Sequence, residues 1–188
     1  MNTVRIIGGT WRRRVLRFPD STALRPTPDR VRETLFNWLG QDLAGLHCLD
    51  LFAGSGALGF EAASRGAGRV IMVESAAKVV ESLKNNRELL GNPAQVEIVR
   101  GDAVQYLAST SQQFDVIFLD PPYRQGWIER LAPQLRRALK ADAALYVEAE
   151  RELENPGPEL AEWRTVRHGK AGEVHYHLMR REPNEPDA

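Results

Sequence analysis

The tetrapeptide Asp120-Pro121-Pro122-Tyr123 places a carboxylate, two rigid imino acids and an aromatic ring directly after the apolar run Phe114–Leu119. Consecutive prolines fix φ and remove two N–H donors, so the Asp120 carboxylate and the Pro121 carbonyl project as acceptors from a stiff turn. Two such acceptors match the two hydrogens of an exocyclic amine on a nucleic-acid base. The lone pair of that nitrogen is delocalised into the ring. Accepting both hydrogen bonds favours a pyramidal nitrogen and frees the pair for in-line attack on a methyl group. The nitrogen becomes acidic only as it is alkylated, so Asp120 can take the proton, or pass it to water, without needing a raised pKa beforehand. Tyr123 is placed to stack on an extruded base, a contact worth roughly 1–3 kcal/mol that does not discriminate between bases. Such chemistry needs the base outside its helix, in a loop or flipped out at modest cost. The plainer alternative is a proline-stiffened strand exit plugged by a tyrosine.

A second candidate site is Asp50-Leu51-Phe52-Ala53-Gly54-Ser55-Gly56-Ala57-Leu58-Gly59, which follows an apolar run and opens a helix. Its glycines let the backbone turn sharply and approach a ligand closely, which makes Phe52, Ala53, Gly54, Ser55 and Gly56 candidate cofactor contacts. Gly54, Gly56 and Gly59 also satisfy the dinucleotide spacing G-x-G-x-x-G, and Glu74 ends the next strand, where an acid accepts both hydroxyls of a ribose. On spacing alone, a nucleotide-dependent oxidoreductase fits as well as a methyltransferase. Asp50 shifts the balance, because its charge suits the ammonium of an amino-acid moiety and would repel a pyrophosphate. Asp102, followed by Ala103, is a third acid at a third strand end, able either to accept from an adenine amino group or simply to cap a helix. Three carboxyl groups on neighbouring strand ends would line one crevice and suit a cationic sulfonium cofactor, S-adenosylmethionine.

Other reactive residue types carry less. His175 and His177 alternate on the last predicted strand, but no third metal ligand lies near them in sequence, so no metal is expected. Trp127 and Trp163 read as packing residues. Cys48, inside an apolar strand, reads as a small buried hydrophobe rather than a nucleophile.

These residues require an α/β scaffold. Short apolar runs at 46–52, 69–73, 96–99, 114–119 and 143–147 alternate with helical patterns, as a parallel sheet flanked by helices demands. One helix starts at Ser75, carries Val79, Val80, Leu83 and Leu90 on one face, and stops at Gly91-Asn92-Pro93. Trp163–His168 and Glu173–Arg180 predict a terminal hairpin around the loop Gly169–Gly172, which gives the sheet an antiparallel end. Upstream, Thr27-Pro28-Asp29 offers an N-cap, a proline at the first helical position and an acid in the first turn of a helix running to Gly40. Val31, Leu35, Trp38 and Leu39 form its packing face, with Arg30, Glu33 and Asn37 pointing elsewhere. Residues 1–24 read as a small strand-and-turn extension with Gly8-Gly9 as its turn, residues 25–181 as the main domain, and residues 182–188 as a flexible tail.

Composition sets outer limits. The chain has 188 residues, 43% of them hydrophobic and 27% charged, which suits one soluble α/β domain with small appendages. Lys+Arg and Asp+Glu both number 25, so net charge argues against indiscriminate nucleic-acid binding. The distribution is uneven: residues 1–33 hold eight Arg against three acids (8 − 3 = +5), and Asp142 to the end holds eleven acids against six bases (6 − 11 = −5). The basic end is a candidate footprint for phosphates. The single cysteine excludes an intrachain disulfide and multi-thiolate zinc, which fits a reducing cytoplasm; no long apolar run predicts a membrane span.

Two further segments resemble the RsmD family of bacterial methyltransferases, which modify guanine N2 in small-subunit ribosomal RNA. They are Arg5-Ile6-Ile7-Gly8-Gly9 followed by Trp11-Arg12, and Arg25-Pro26-Thr27 followed by Asp29-Arg30-Val31-Arg32-Glu33-Thr34-Leu35-Phe36-Asn37-Trp38-Leu39. The likeness covers nearly the whole chain. Asp50–Gly59 and Asp120–Tyr123 are shared with many amino-methylating enzymes, DNA adenine and protein glutamine methyltransferases included, and identify only the superfamily. The resemblance implies a Rossmann-like class I methyltransferase fold, a seven-stranded mixed sheet whose last strand is antiparallel. It further implies S-adenosylmethionine as donor and a guanine in a 16S rRNA hairpin loop as target, met within a small-subunit particle by a monomer. It assigns Arg5, Trp11, Arg12, Arg13, Arg14, Arg25, Thr27 and Arg30 to RNA, with Arg12–Arg14 gripping phosphates beside Trp11 and with Arg25 and Thr27 closing over cofactor and target. The rivals are a DNA adenine-N6 methyltransferase, which would usually need a separate target-recognition region, the oxidoreductase above, and a non-catalytic RNA-binding module.

Overall fold

Alternation of apolar strands and amphipathic helices produces a doubly wound sheet with a small hairpin packed on one face. The computed structural model describes residues 1–20, 26–123, 125–154 and 156–182. The predicted site residue Arg25, the end of the extension (21–24) and most of the predicted tail (183–188) lie outside the described residues. The hairpin is β1 (Asn2–Arg5) and β2 (Val15–Phe18), and α1 (Asp29–Leu39) follows it. Then come β3 (His47–Asp50), α2 (Ala57–Ser64), β4 (Arg69–Glu74), α3 (Ala77–Leu89), β5 (Val96–Arg100) and α4 (Ala103–Ser109). The remainder is β6 (Phe114–Leu119), α5 (Trp127–Ala138), β7 (Leu139–Ala149), β8 (Trp163–Ala171) and β9 (Val174–Arg181).

The main sheet runs β5-β4-β3-β6-β7-β9-β8. β3 to β7 are parallel to one another, and β9 lies antiparallel between β7 and β8. The expected mixed sheet is therefore present. Strand order reverses between β3 and β6, the point where doubly wound sheets open a crevice at their carboxyl edge. Alternate residues feed two cores. Cys48, Val70, Met72, Val116, Phe118 and Tyr146 face the layer holding the hairpin, α1, α2 and α3. Leu49, Ile71, Val73, Ile117, Leu145 and Val147 face α4 and α5.

Several boundaries differ from expectation for identifiable reasons. The first core strand ends at Asp50, because the chain must already turn into the glycine loop. β8 continues to Ala171, so the terminal loop shrinks to Gly172-Glu173, with Gly172 at φ +60. Thr27 is not the cap of α1: Pro28 holds that position without a side-chain bond, and the Thr27 hydroxyl donates instead to Glu148 at 2.9 Å. The Gly8-Gly9 turn is a docking point, since a Cβ on Gly9 would sit 1.8 Å from the Ser64 carbonyl oxygen.

The largest departure is Arg32, counted above in the basic footprint and in fact inaccessible to solvent. Its guanidinium meets Glu61 Oε2 at 3.2 Å, the Thr27 carbonyl at 3.1 Å, the Arg5 carbonyl at 2.9 Å and Asp29. Glu61, equally buried, also accepts from the Ile7 and Gly8 N–H groups (2.9 and 2.8 Å) and from Arg65 (2.9 Å). Asn86, 2% exposed, bonds both backbone groups of Arg17. Buried side chains thus serve as the hydrogen-bonding partners that dock the hairpin.

Removing one member of a buried ion pair strands the other, at a typical cost of about 3–5 kcal/mol. Arg32→Ala is expected to lower unfolding free energy by that order in urea titrations. Arg32→Met with Glu61→Met is expected to cost clearly less than the sum of the single substitutions; strict additivity would contradict coupling through this pair.

Candidate active site

At the carboxyl edge, β3 delivers Asp50, 2% exposed, whose Oδ2 accepts the Gly59 N–H at 3.1 Å. Burial, with the nearby charges of Glu74 and Glu148 added, pushes its carboxyl up to about 7 against the pull of the Gly59 and Phe52 N–H groups. The chain then runs through Phe52 and buried Ala53 into left-handed turns at Gly54 (φ +49) and Gly56 (φ +78). A Cβ at Gly56 would lie 2.6 Å from the Phe60 ring, so only glycine both turns here and lets α2 begin. Ser55, also buried, accepts the Ala57 N–H at 3.3 Å.

Glu74 closes the loop from β4, one oxygen taking the Gly54 N–H (3.1 Å) and the other the Ala76 N–H (2.8 Å). Each carboxylate oxygen accepts more than one bond, so hydroxyls of a ligand remain acceptable partners. Asp102 caps α4, with Oδ1 accepting from Val104 and Gln105 N–H (2.9 and 3.1 Å), and Ala103 packs into the core behind it. Asp50, Glu74 and Asp102 do follow neighbouring strands, as expected. The Gly101 N–H donating to the Glu74 carbonyl at 3.0 Å joins the last two.

Across the switch point, β6 ends at Leu119 and Asp120 begins the proline turn. Pro121 is buried, whereas Pro122 and Tyr123 are exposed. Beside Asp120, next in register on β7, stands Glu148, a residue that sequence reasoning missed. Glu148 is 4% exposed, and its Oε1 accepts the hydroxyls of Thr27 (2.9 Å) and Tyr146 (2.8 Å). Burial, then the charges of Glu148 and Asp50, hold the Asp120 carboxyl well above the usual carboxylate range. Burial raises Glu148 too, against the lowering pull of Tyr146, Thr27 and Asp120. Left-handed glycines and several buried acids short of compensating charge form a cradle that fits a cationic amino-acid-bearing nucleoside.

The residues assigned to RNA divide into two places. Thr27 belongs to the buried network beneath Asp120, and Arg30 lies exposed on the first turn of α1 beside it. Arg5 is exposed on β1, its carbonyl held by Arg32. Arg12, Arg13 and Arg14 are exposed on the hairpin loop, and Trp11 is half-buried against the core. That loop docks where α2 and α3 end, through Trp11 N–H to Ser64 Oγ (2.9 Å) and Arg14 to the Leu89 carbonyl. Both helices start at the carboxyl edge. Eight residues of α2 span about 12 Å at 1.5 Å rise, so the loop's anchor at Ser64 lies about a helix length from the glycine loop.

A sheet whose switch point is flanked by an acid-rimmed glycine loop and an Asp-Pro-Pro-Tyr turn defines a Rossmann-like methyltransferase. The family model described as "Conserved hypothetical protein 95" matches residues 4–180, and the chain belongs to this family, the RsmD family resembled above. "Ribosomal RNA small subunit methyltransferase D" of Escherichia coli (strain K12) is 43% identical over 182 residues, 95% of this chain and 90% of that protein. The protein of that name from Haemophilus influenzae is 42% identical over 180 residues, 93% and 92% of the two chains. The solved structure of Escherichia coli yhhF superposes with a TM-score of 0.85 at 42% identity, covering 96% of this chain and 99% of that one. An RNA methyltransferase from Salinibacter ruber in complex with S-adenosyl-L-homocysteine shares the fold at a TM-score of 0.66 and 18% identity, over 87% and 97% of the two chains.

Trp127 packs edge-on against Phe52 at 5.1 Å, and Trp163 is buried. Cys48 is buried, and burial pushes its thiol up to about 12. His168 from β8 joins His175 and His177, their ligand-type atoms within 4.8 Å, a grouping that only the hairpin pairing reveals. Both ring nitrogens of His177 are engaged, however: the Leu153 N–H donates to Nε2 at 3.0 Å, and Nδ1 lies 3.3 Å from the Val147 carbonyl. It acts as a backbone tie in its neutral form. Burial pushes its pKa from 6.5 down to about 4. The unfolded chain then binds this proton first as pH falls, so stability held above pH 6.5 is lost progressively toward pH 4. Urea midpoints at pH 7 and pH 5 are expected to drop less in His177→Gln than in the parent protein; equal drops would remove His177 from the acid sensitivity.

Proposed function

We propose that this protein is an S-adenosylmethionine-dependent methyltransferase of small-subunit ribosomal RNA, and that its target is the exocyclic N2 amine of a guanine. The observation that carries the reading is the Asp120-Pro121-Pro122-Tyr123 turn facing the glycine loop across the point where strand order reverses. The relatives named for small-subunit rRNA, aligned over nearly the whole chain, support the substrate class. The guanine N2 assignment rests on the family likeness carried by the segments at 5–12 and 25–39.

Asp50, Phe52, Ala53, Gly54, Ser55, Gly56, Glu74, Asp102 and Ala103 would hold the cofactor. Asp50 would take its ammonium, Glu74 its ribose hydroxyls and Asp102 its adenine amino group. When bound, S-adenosylmethionine supplies an electrophilic methyl group, the C–S bonding pair departing on sulfur as the nitrogen pair forms the new N–C bond. Asp120 and the Pro121 carbonyl orient the amine so that its lone pair points along the line of attack. Pro122 keeps the turn rigid, and exposed Tyr123 stacks on the extruded base. Arg5, Trp11, Arg12, Arg13, Arg14, Arg25, Thr27 and Arg30 serve the RNA, Thr27 from within the site and the hairpin-loop arginines at a distance. The protein works as a monomer on a small-subunit particle in the cytoplasm and needs no metal. Among the described residues no helix is long and apolar enough to cross a membrane.

Labelled methyl from S-adenosylmethionine is expected in N2-methylguanosine of 16S rRNA when particles from cells lacking this protein are the substrate. Asp120→Ala should lower the rate by about 10²-fold or more. Label in adenine would favour the DNA-type adenine reading, and label in protein or nowhere would overturn the substrate.

Replacing Arg12, Arg13 and Arg14 together by alanine should weaken particle binding and reduce its salt slope by up to about three charges. The single-turnover rate at saturation should stay within about twofold, because these side chains stand away from Asp120. An unchanged salt slope would take the hairpin loop out of the RNA interface.

A further inference from the structure

We propose that Glu148 is the proton partner of Asp120: the two carboxyls share one proton across their hydrogen bond, and Glu148 receives it as Asp120 takes up the proton shed by the methylated amine. The inference deepens the methyltransferase reading and rests on it.

β6 and β7 are adjacent and parallel, with Leu119 paired to Val147, so Asp120 and Glu148 are the next residues in register. That register brings the two carboxyls within reach of a hydrogen bond to each other. Two carboxyl groups make that contact only if one carries a proton. The Thr27 and Tyr146 hydroxyls both donate to Glu148 Oε1, which favours the charge on Glu148 and the resting proton on Asp120. Acids and phenols surround the pair: Asp50 from β3, Tyr146 from β7, Tyr176 from β9 and, beyond Asp50, Glu74 from β4, with the Thr27 hydroxyl and, on the first turn of α1, exposed Arg30. A second negative charge in this setting is strongly disfavoured. The raised Asp120 carboxyl agrees with that arrangement.

The proton balance then closes without water in the site. As the nitrogen is methylated, its N–H bond breaks and the bonding pair stays on nitrogen. The proton moves to the Asp120 oxygen turned away from Glu148. The proton between the carboxyls crosses onto Glu148. The amine ends neutral, Asp120 ends neutral as it began, and Glu148 changes from carboxylate to acid. Glu148 touches only Asp120 in this scheme, so it is a positioning residue acting through Asp120, and Thr27 and Tyr146 set how readily it accepts.

The test pairs a titration of the free protein with pH-dependent kinetics. With ¹³C-labelled Asp and Glu carboxyls, the 120/148 pair is expected to retain one proton at neutral pH. Glu148→Gln removes the charge that holds that proton, so Asp120 should ionise at lower pH. Methyl transfer in Glu148→Gln then needs Asp120 ionised, so its acid limb should follow the Asp120 titration instead of the protonation of Glu148, with a rate loss on the order of tenfold to a hundredfold and KM values within about twofold. Tyr146→Phe removes one donor to Glu148 and leaves both carboxyls in the chain, so it should move the acid limb upward with a smaller loss. Two ionised carboxyls at neutral pH in the parent protein, or a Glu148→Gln pH profile superimposed on the parent's, would overturn the proposal. A parent protein that transfers no methyl would instead overturn the functional reading while leaving the carboxyl titration to decide on the pair.

Discussion

A guanidinium with no access to water organises this protein. Burying an arginine is tolerable only when its donors are satisfied, and Arg32 meets that condition by gathering groups from three parts of the chain. Glu61 comes from α2, the Arg5 carbonyl from the hairpin, and the Thr27 carbonyl from the segment leading into α1. The last of these matters most for the chemistry. Holding the Thr27 carbonyl fixes the residue whose hydroxyl reaches Glu148, and Glu148 in turn stands next in register to Asp120. The docking of the arm and the setting of the Asp120 carboxyl are therefore two ends of one polar chain. Damage at Arg32 would be expected to reach both.

The site trades stability for readiness. Asp50, Asp120 and Glu148 are pressed together in a poorly hydrated edge, where the natural response of each is to hold a proton. A cationic ligand relieves this repulsion, so the same arrangement that costs folding energy favours binding of a positively charged cofactor. The surrounding scaffold is dense enough to bear the cost. Every residue of α2 is buried, Gly59 lies against Met72 closely enough to exclude a Cβ, and the sheet beneath is apolar on both faces.

How much of this the sequence disclosed follows from the range of each interaction. The parallel strands, α3 with its glycine stop and the two site motifs were readable because their signals lie within a few consecutive residues. Glu148 was not readable. It stands just past an apolar run, where a solvated acid would look the same, and its partner Thr27 is 121 residues away. Thr27 itself was misread as a helix cap because cap chemistry is local and the true bond is not. Arg32 was misread as surface charge, since composition counts a cation without knowing that Glu61 waits for it on another helix. A signal was present for Glu148 all the same. Asp50, Glu74 and Asp120 each end or follow an apolar strand, and Glu148 repeats that pattern on the next one.

The same polar chain bears on how a large RNA meets a small protein. Arg30 and the Thr27 segment border the catalytic edge, whereas Arg12, Arg13 and Arg14 sit where α2 and α3 end. A single extruded nucleotide cannot touch both places, so a substrate that engages both must present phosphates well away from the target base. A structured particle does this without ordering itself on arrival, whereas a flexible strand must pay the entropy of the second contact. The hairpin, in turn, must be rigid relative to Asp120 for the distant contact to help position the base. The buried bonds from Glu61, Ser64 and Asn86 hold the hairpin backbone to the domain at several points, so its loop is fixed relative to Asp120 and not hinged on it.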